Sequence, residues 1–501
     1  MAAVVSSPLE LAGARRWLVA GTVMLGMIMA IIDATIVNVA LPTIAGNLGA
    51  STDDAAWVAT GYLLSAVIIM PLNGWLTAYF GRKNFYAACI AIFTIASFLC
   101  GTATSIWQLT FYRVIQGIGG GALQPTAQAL LFESFPPKER GGAMALFGLG
   151  AMVGPAIGPL LGGYLIDNAT WPLIFFINIP IGIAAFVMTL AFIPNPHYLN
   201  KPKGGLDFIS LGLLVAGLGS LQYVLERGQH DDWWSSSTIT TLAVVSVVSL
   251  IAFIVRSLRD KNPLVDLRIF RYREFTIGNM LLAILGFGLF GTALIMPLFF
   301  QSIAGMSAFE VGQVLLPGAI ATAVSMIIAG RLVGRIDGRI LIAFGTALFA
   351  LSTWMLGGLN ENTGYWDVFY PRVLQGFALG FLFVPLSTVM LAPVPREELS
   401  GASGVSNLVR QIGGSLGIAI LYTMLTRETA VAWSTLAGGV TSTHGYSIQA
   451  LTGLVAQGSS VIGYDYLFRL TAVVFIATLP LVFFMRPPKV ASGGATPAMA
   501  E

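Results

Sequence analysis

Charge is what this sequence has least of. Of 501 residues, 10% are charged and 56% are hydrophobic. Soluble domains carry roughly 25% charged residues, so more than half of the usual solvating surface is missing. There are two cysteines, Cys89 and Cys100, on one helix and about 16 Å apart at 1.5 Å per residue. They cannot bridge each other and say nothing about redox compartment. The three histidines, His197, His230 and His444, fall in loops too scattered for a metal site. No phosphate-binding Walker loop occurs, which argues against an ATP-driven pump. GIGGGA at 117–122 fits a dinucleotide fingerprint, but no strand precedes it. GGSLG at 413–417 fits a nucleophile elbow, yet it lies in an apolar helix instead of a strand-to-helix turn. These absences make a membrane-embedded enzyme or sensor a poor reading, and no cofactor is expected.

What fills the chain is apolar runs of about 20 residues, each long enough to cross a ~30 Å hydrocarbon core. Fourteen follow one another, the first near residues 17–40 and the last near 466–485, with 207–226 and 236–256 in the middle. The expectation is an all-α polytopic membrane protein with fourteen transmembrane helices. Lys and Arg fix its orientation, because they favour the cytoplasmic side. With the N-terminus inside, Arg15, Arg82, Lys83, Arg140, Lys201, Arg256, Arg271, Arg331, Arg339, Arg396 and Arg486 all fall inside. Outer loops hold only Arg227 and Arg427. Both termini are then cytoplasmic, and the slight basic excess points to membrane orientation, with no nucleic acid as partner.

The chain also repeats itself. YRVIQGIGGG at 112–121 returns as PRVLQGFALG at 371–380, so Arg113, Gln116 and Gly117 match Arg372, Gln375 and Gly376 at an offset of 259. GWLTAYFGRK at 74–83 resembles GRLVGRIDGR at 330–339, and PPKERGGA at 136–143 resembles PREELSGA at 395–402. The reading is a six-helix bundle at 15–193, a linker with two inserted helices at 194–274, and a second six-helix bundle at 275–488. Parallel repeats of this kind build two rocking halves around a central site.

Polar residues form stripes. At 100° per residue, Arg113, Gln116, Gly117, Gly120, Gln124 and Gln128 share one helix face, following the i, i+3, i+4, i+7 pattern. Lipid cannot lie against that face, so it lines a cavity or a protein interface. Ser403, Ser406, Asn407, Arg410, Gln411 and Gly414 share another face. Arg372 and Gln375 sit on a third helix that turns apolar further in. Asn38, Gln116, Gln124, Gln128, Arg372, Gln375, Asn407, Arg410 and Gln411 are the candidate substrate-cavity residues.

Arg113 needs a partner, since a guanidinium stays charged and an unpaired buried charge is costly. It lies about 9 Å below the outer boundary of its inward-running helix, and Asp33 lies about 10 Å from the outer end of the first helix. The depths agree. Proximity to a guanidinium favours an acid's charged form, while burial favours the neutral form. An acid balanced between the two can take up and release a proton when the arginine moves. The alternative is a permanent salt bridge between the first and fourth helices. Gly150, Gly154, Gly158 and Gly162 then form a ridge that contains Pro155 and Pro159. Glycines at this spacing let helices approach closely, and the prolines allow the helix to bend at a moving seam.

These stretches resemble a known group. IIDATIVNVALP at 31–42, GWLTAYFGRK at 74–83, YRVIQGIGGG at 112–121 and GPAIGPLLGG at 154–163 resemble motifs of the major facilitator superfamily. FFINIPIG at 175–182, LERGQHDDWW at 225–234 and SNLVRQIGGSLG at 406–417 are similar to EmrB-type drug:proton antiporters. The resemblance covers roughly residues 15–488. It implies export of lipophilic toxic compounds across the cell inner membrane in exchange for protons, with Asp33 and Arg113 as the coupling pair. It also implies conformational switching at Gly74, Gly81, Arg82 and Lys83 and at the ridge Gly154, Pro155, Gly158, Pro159 and Gly162. One position departs from the pattern. Where the family's cytoplasmic motif usually has an acid, this chain has Ala78, so the charge lock there is either weakened or built from other acids. Members with a long outer segment before the last helix, here about 427–465, work with a periplasmic adaptor and an outer-membrane channel. An importer or facilitator of the same fold is the competing expectation, because fold does not fix function.

Overall fold

The computed structural model describes residues 13–195, 201–202, 205–360, 363–440 and 447–485. Lys203, His197, His444, Arg486 and Lys489 lie outside the described residues.

Every long element is helical. The first set is α1 (Ala14–Leu48), α2 (Thr52–Phe80), α3 (Arg82–Gly101), α4 (Ile106–Ser134), α5 (Arg140–Asn168), and α6 (Leu173–Phe176) with α7 (Asn178–Phe192). α6 and α7 form one rod interrupted at Ile177. Two helices follow, α8 (Phe208–Arg227) and α9 (Ser237–Arg259). The last set is α10 (Arg273–Ser302), α11 (Ala308–Leu332), α12 (Gly338–Leu356), α13 (Tyr365–Leu391), α14 (Leu399–Gly439) and α15 (Ile448–Phe483). Among the described residues, twelve helices are long and apolar enough to cross a membrane, α6 and α7 counting as one. α4 and α5 stand outside that apolar set, and at 29 residues each they are still about 44 Å long. α4 carries Arg113 and four glutamines along its length.

Local chemistry sets the ends. Ser51 caps α2 by accepting the Asp54 N–H at 3.1 Å, and Ser307 and Glu310 cap each other's backbone at the start of α11, satisfying amides the first turn leaves unpaired. Gly81, at φ +81°, turns α2 directly into α3, a left-handed backbone that glycine adopts without a side-chain clash.

The packing plan of the first set recurs in the last. α1 packs on α5 and α7, α2 on α4, and α3 on α4 and α7. In the same order α10 packs on α14 and α15, α11 on α13, and α12 on α13 and α15. The two sets meet through an equivalent pair of contacts, α5 with α11 and α2 with α14. α8 pairs with α9 and also lies against both α2 and α14.

The sets are drawn tightly together at the ends that carry Arg82, Arg140 and Arg331. A Cβ on Gly74 would come within 2.8 Å of the Gly401 Cα, and one on Gly141 within 2.7 Å of the Gly330 carbonyl. Asn73 donates to the Ser400 carbonyl at 3.0 Å. Further in, Phe147 stacks on Phe383 with ring centroids 5.9 Å apart. The glycine ridge faces the other way. Cβ atoms on Gly150, Gly154, Gly158 and Gly162 would strike Met24, Ile31, Thr35 and Ile36 of α1. It therefore packs inside the first set, and Gly141 and Gly148 are the glycines that face the seam. α5 stays helical through 155 and 159, and the side chains of Pro155 and Pro159 lie outside the described residues.

Candidate functional site

Asp33 and Arg113 meet. The guanidinium Nη1 donates to Asp33 Oδ2 at 2.5 Å, joining α1 to α4. Both side chains are buried, at 0% and 1% exposure. Two more donors complete the carboxylate, Gln116 Nε2 at 3.0 Å and Asn178 Nδ2 at 2.7 Å, both to Oδ1. Asn178 is the first residue after the break at Ile177, and it also donates to Ser97 Oγ at 3.0 Å. Arg113 is fixed in turn. Its Nε donates to the Val58 carbonyl at 3.2 Å, Nη1 donates to Gln116 Oε1 at 2.7 Å, and Cζ sits 4.3 Å from the Tyr62 ring centroid. A charged pair out of water is tolerable only when its remaining hydrogen-bonding positions are satisfied, and α2, α4 and α7 supply partners here.

This network takes up half of the stripe expected to line a cavity. Gln116 is fully buried against Asp33. A Cβ on Gly117 would lie 2.1 Å from Ser65 Oγ, and one on Gly120 2.4 Å from Tyr62 Oη. The part of the stripe from Arg113 to Gly120 is therefore a helix interface closed onto α2. Gln128, deeper in, reaches the seam, where its Oε1 accepts from Asn407 Nδ2 of α14 at 2.7 Å. Asn407 Oδ1 also accepts from Arg410 Nη2 at 3.1 Å, and the Arg410 guanidinium lies 5.9 Å from the Phe383 ring centroid. The buried hydroxyls of Ser403 and Ser406 have no hydrogen-bond partner among the described residues. Gln124 and Gln411 are half-buried, and Asn38 is exposed on α1. No hydrogen bond among the described residues ties these three to the rest.

The second set carries an altered copy of the ion-pair site. Arg372 donates to Gln375, as Arg113 does to Gln116. Gln375 Nε2 points to Thr292 Oγ1 at 3.4 Å. Thr292 is 259 positions after Asp33, the offset that relates the two arginines. Arg372 Nη1 ends 3.3 Å from Met296 Sδ, and its Nε is buried without a partner. Among the described residues no carboxylate faces Arg372 or Arg410.

On the basic side, Arg82 is fully buried and salt-bridged to Glu133 of α4, and its Nη2 reaches Ser400 Oγ at 3.4 Å. The acid missing at Ala78 is thus answered by one from another helix. Lys83 contributes its backbone N–H to Asn195 Oδ1 at 3.0 Å. Asn178, Ser97 and Tyr62 were not identified from the sequence, where Glu133 reads as an acid reaching the cavity from a helix end, not as the partner of Arg82. FFINIPIG carried a signal for Asn178, as a polar residue inside an apolar run.

A sequence profile described as Major Facilitator Superfamily matches residues 23–418. The chain belongs to the major facilitator superfamily. Within the superfamily it is similar to the multidrug export protein EmrB of Escherichia coli strain K12, at 36% identity over 97% of this chain and 98% of that protein. It is 32% identical to the fatty acid resistance protein FarB of Neisseria gonorrhoeae, over 94% of this chain and 96% of that one. The solved structure of the human organic anion transporter MFSD10 superposes with a TM-score of 0.65 at 13% identity, covering 93% of this chain and 99% of that chain. At that identity the match speaks for the superfamily fold alone.

Proposed function

We propose that this chain is a proton-coupled exporter of lipophilic compounds, working by alternating access in the cell inner membrane. The observation that carries the reading is Asp33, a carboxylate with 0% exposure held by Arg113, Gln116 and Asn178. Asp33 binds the exchanged proton, and Arg113 competes with that proton for the carboxylate. Movement of α1 against α4 changes their separation and so the proton affinity of the acid. The basic ends of the helices face the cytoplasm with both termini, which follows the Lys and Arg bias. The tight contact at Gly74 and Gly401 is then the cytoplasmic closure of an exporter presenting its site outward. Support for drug export comes from the full-length likeness to EmrB.

The substrate reading is neutral or weakly acidic lipophiles over multiply charged cations. Asp33 is engaged by Arg113, which leaves Arg372 and Arg410 as uncompensated positive charge in the second half. At an effective dielectric of ~20, a charge about 8 Å away contributes roughly 2 kcal/mol, enough to bias selection more than tenfold. The Neisseria relative is named for resistance to fatty acids, which are weak acids of this kind.

A periplasmic adaptor, and through it an outer-membrane channel, is the proposed protein partner. α14 has 41 residues and α15 has 36, about 61 Å and 54 Å at 1.5 Å per residue, against a ~30 Å core. Their surplus forms an outer hairpin, with Gly463 packed against Thr429 and Gly458 near Leu436.

Export and import are separated by dye accumulation. Cells lacking the protein should retain more of a fluorescent lipophilic dye than cells expressing it; less retention would support an importer.

A further inference from the structure

The inserted helix α8 is held by polar contacts to both halves, and a carboxyl group lies among them. Glu226, one residue before the end of α8, accepts at Oε2 from Thr60 Oγ1 of α2 at 3.0 Å. Its Oε1 accepts from Gln222 Nε2 at 3.0 Å, and the same amide donates to Ser415 Oγ of α14 at 2.8 Å. Gln222 is 1% exposed, and its Oε1 has no partner. Nearby, Trp57 and Tyr223 pack with centroids 5.6 Å apart, and Trp233 Nε1 donates to Thr423 of α14 at 3.0 Å. α8 therefore bridges α2 and α14 on the side away from the contact of Gly74 with Gly401.

The chemistry around Glu226 differs from that around Asp33. Asp33 has a fixed cation; Glu226 has two neutral partners, which can accept the proton of its neutral form but supply no charge to balance its ionised form. A threonine hydroxyl donates or accepts, and a glutamine presents its N–H or, with the amide turned, its carbonyl. Glu226 also sits in the last turn of its helix, where the backbone dipole disfavours negative charge. It is half-buried, so protons reach it from the outer side.

Other ionisable groups do not neutralise it. On α8, Tyr223 packs on Trp57 and Arg227 reaches Asp231 at 3.7 Å. On α2, Asp53 meets His230 at 3.1 Å, Asp54 takes part in the Ser51 cap, and Tyr62 faces Arg113. α14 has no acid or base except Tyr422 between Arg410 and Arg427, and α9 has none between Ser237 and Arg256.

We propose that Glu226 is a second proton-binding carboxyl, separate from Asp33, which latches α8 onto α2 and α14 when protonated and releases that outer contact when ionised. It communicates with the ion pair through α2, because Arg113 donates to the Val58 carbonyl two residues before Thr60. The proposal goes beyond Asp33 as the coupling site, and it stands or falls by different measurements.

The test uses the full-length protein in liposomes. Infrared difference spectra between acidic and alkaline buffer report protonated carboxyl groups. Glu226→Gln keeps both hydrogen bonds and should delete one carboxyl C=O component, while Asp33→Asn should leave that component in place. In parallel, spin labels attached at Trp57→Cys and Tyr223→Cys should lie farther apart at alkaline than at acidic pH. With Glu226→Gln added, their separation should stay at the acidic value throughout. Thr60→Val, which keeps the acid, should shift the frequency of the same component and serves if the glutamine variant folds poorly. An unchanged carboxyl component in Glu226→Gln, or a label separation whose pH dependence ignores that substitution, overturns the proposal. Failure of Asp33→Asn to alter substrate-linked proton exchange would count against the coupling site alone.

Discussion

Thr292 stands in the second half where Asp33 stands in the first, 259 positions earlier, and each is approached by the glutamine three residues after its half's arginine. The repeat has kept the arginine and glutamine and dropped the acid. The first half thus holds a balanced ion pair, and the second holds a guanidinium with no carboxylate facing it among the described residues. Two structurally related halves are left with unequal electrostatics.

Moving the acid should not move the function. In a chain carrying Asp33→Thr with Thr292→Asp, the new carboxylate would face Arg372, where Gly318 replaces the ring that Tyr62 presents to Arg113. Asp33 also draws on Asn178 beside the break at Ile177, a donor α15 does not supply to Thr292. The expected result is correct membrane insertion with no proton-driven export in vesicles. Recovery of coupled export would mean that the surroundings of Asp33 are dispensable.

The unneutralised arginines should act on substrate charge. Arg372→Ala and Arg410→Ala are each expected to weaken binding of a weak-acid uncoupler about tenfold, corresponding to ~1.4 kcal/mol, with a smaller change for a neutral dye. Competition binding on the purified protein measures both. Tighter binding of a dicationic dye than of the weak acid by the unmodified chain would contradict the substrate reading.

Closure on the basic side should depend on missing side chains. Gly74→Leu would drive a branched side chain into the backbone at Gly401, where even a Cβ approaches to 2.8 Å. The variant should insert normally yet favour the state open on that side, read as increased labelling of cysteines placed at the ends of α2 and α14. Export should fall at least tenfold. Unchanged labelling would show that this contact does not gate.

The proposed outer hairpin should have a role separable from transport. Replacing the middle of residues 427–465 with a short flexible linker should leave transport in proteoliposomes intact and remove resistance in whole cells. Loss of both activities, or of neither, would argue against docking to an adaptor. Residues 441–446 of this segment lie outside the described residues.

The pair of Asp33 and Arg113 was legible because depth along a helix is simple arithmetic at 1.5 Å per residue, and two lone charges at one depth have few other partners. The helical fold was legible for a similar reason, since runs of apolar residues must match the bilayer. Rotation about each helix axis was not. The stripe on α4 could face water or protein, and only the packing of Gly117 and Gly120 on α2 decided it for the turns from Arg113 to Gly120. The same holds for the ridge at Gly154 and Gly158, whose partner turned out to be α1. The partners of Glu133 and Asn178 were hidden because they come from distant helices, 51 and 145 residues away. Glu226 read as the end of a span beside a polar loop, and nothing local indicates that α2 covers it.

The central claim is that Asp33 carries the exchanged proton, and proton movement driven by substrate tests it most directly. Vesicles containing the protein are given an imposed pH difference, and substrate is then added while a pH-sensitive dye is followed. The unmodified chain should collapse the difference on addition. Asp33→Asn, inserted and still able to bind substrate, should leave the pH difference standing. If Asp33→Asn collapses it as fast as the unmodified chain and exports against a gradient, the proton is carried elsewhere and the account is wrong.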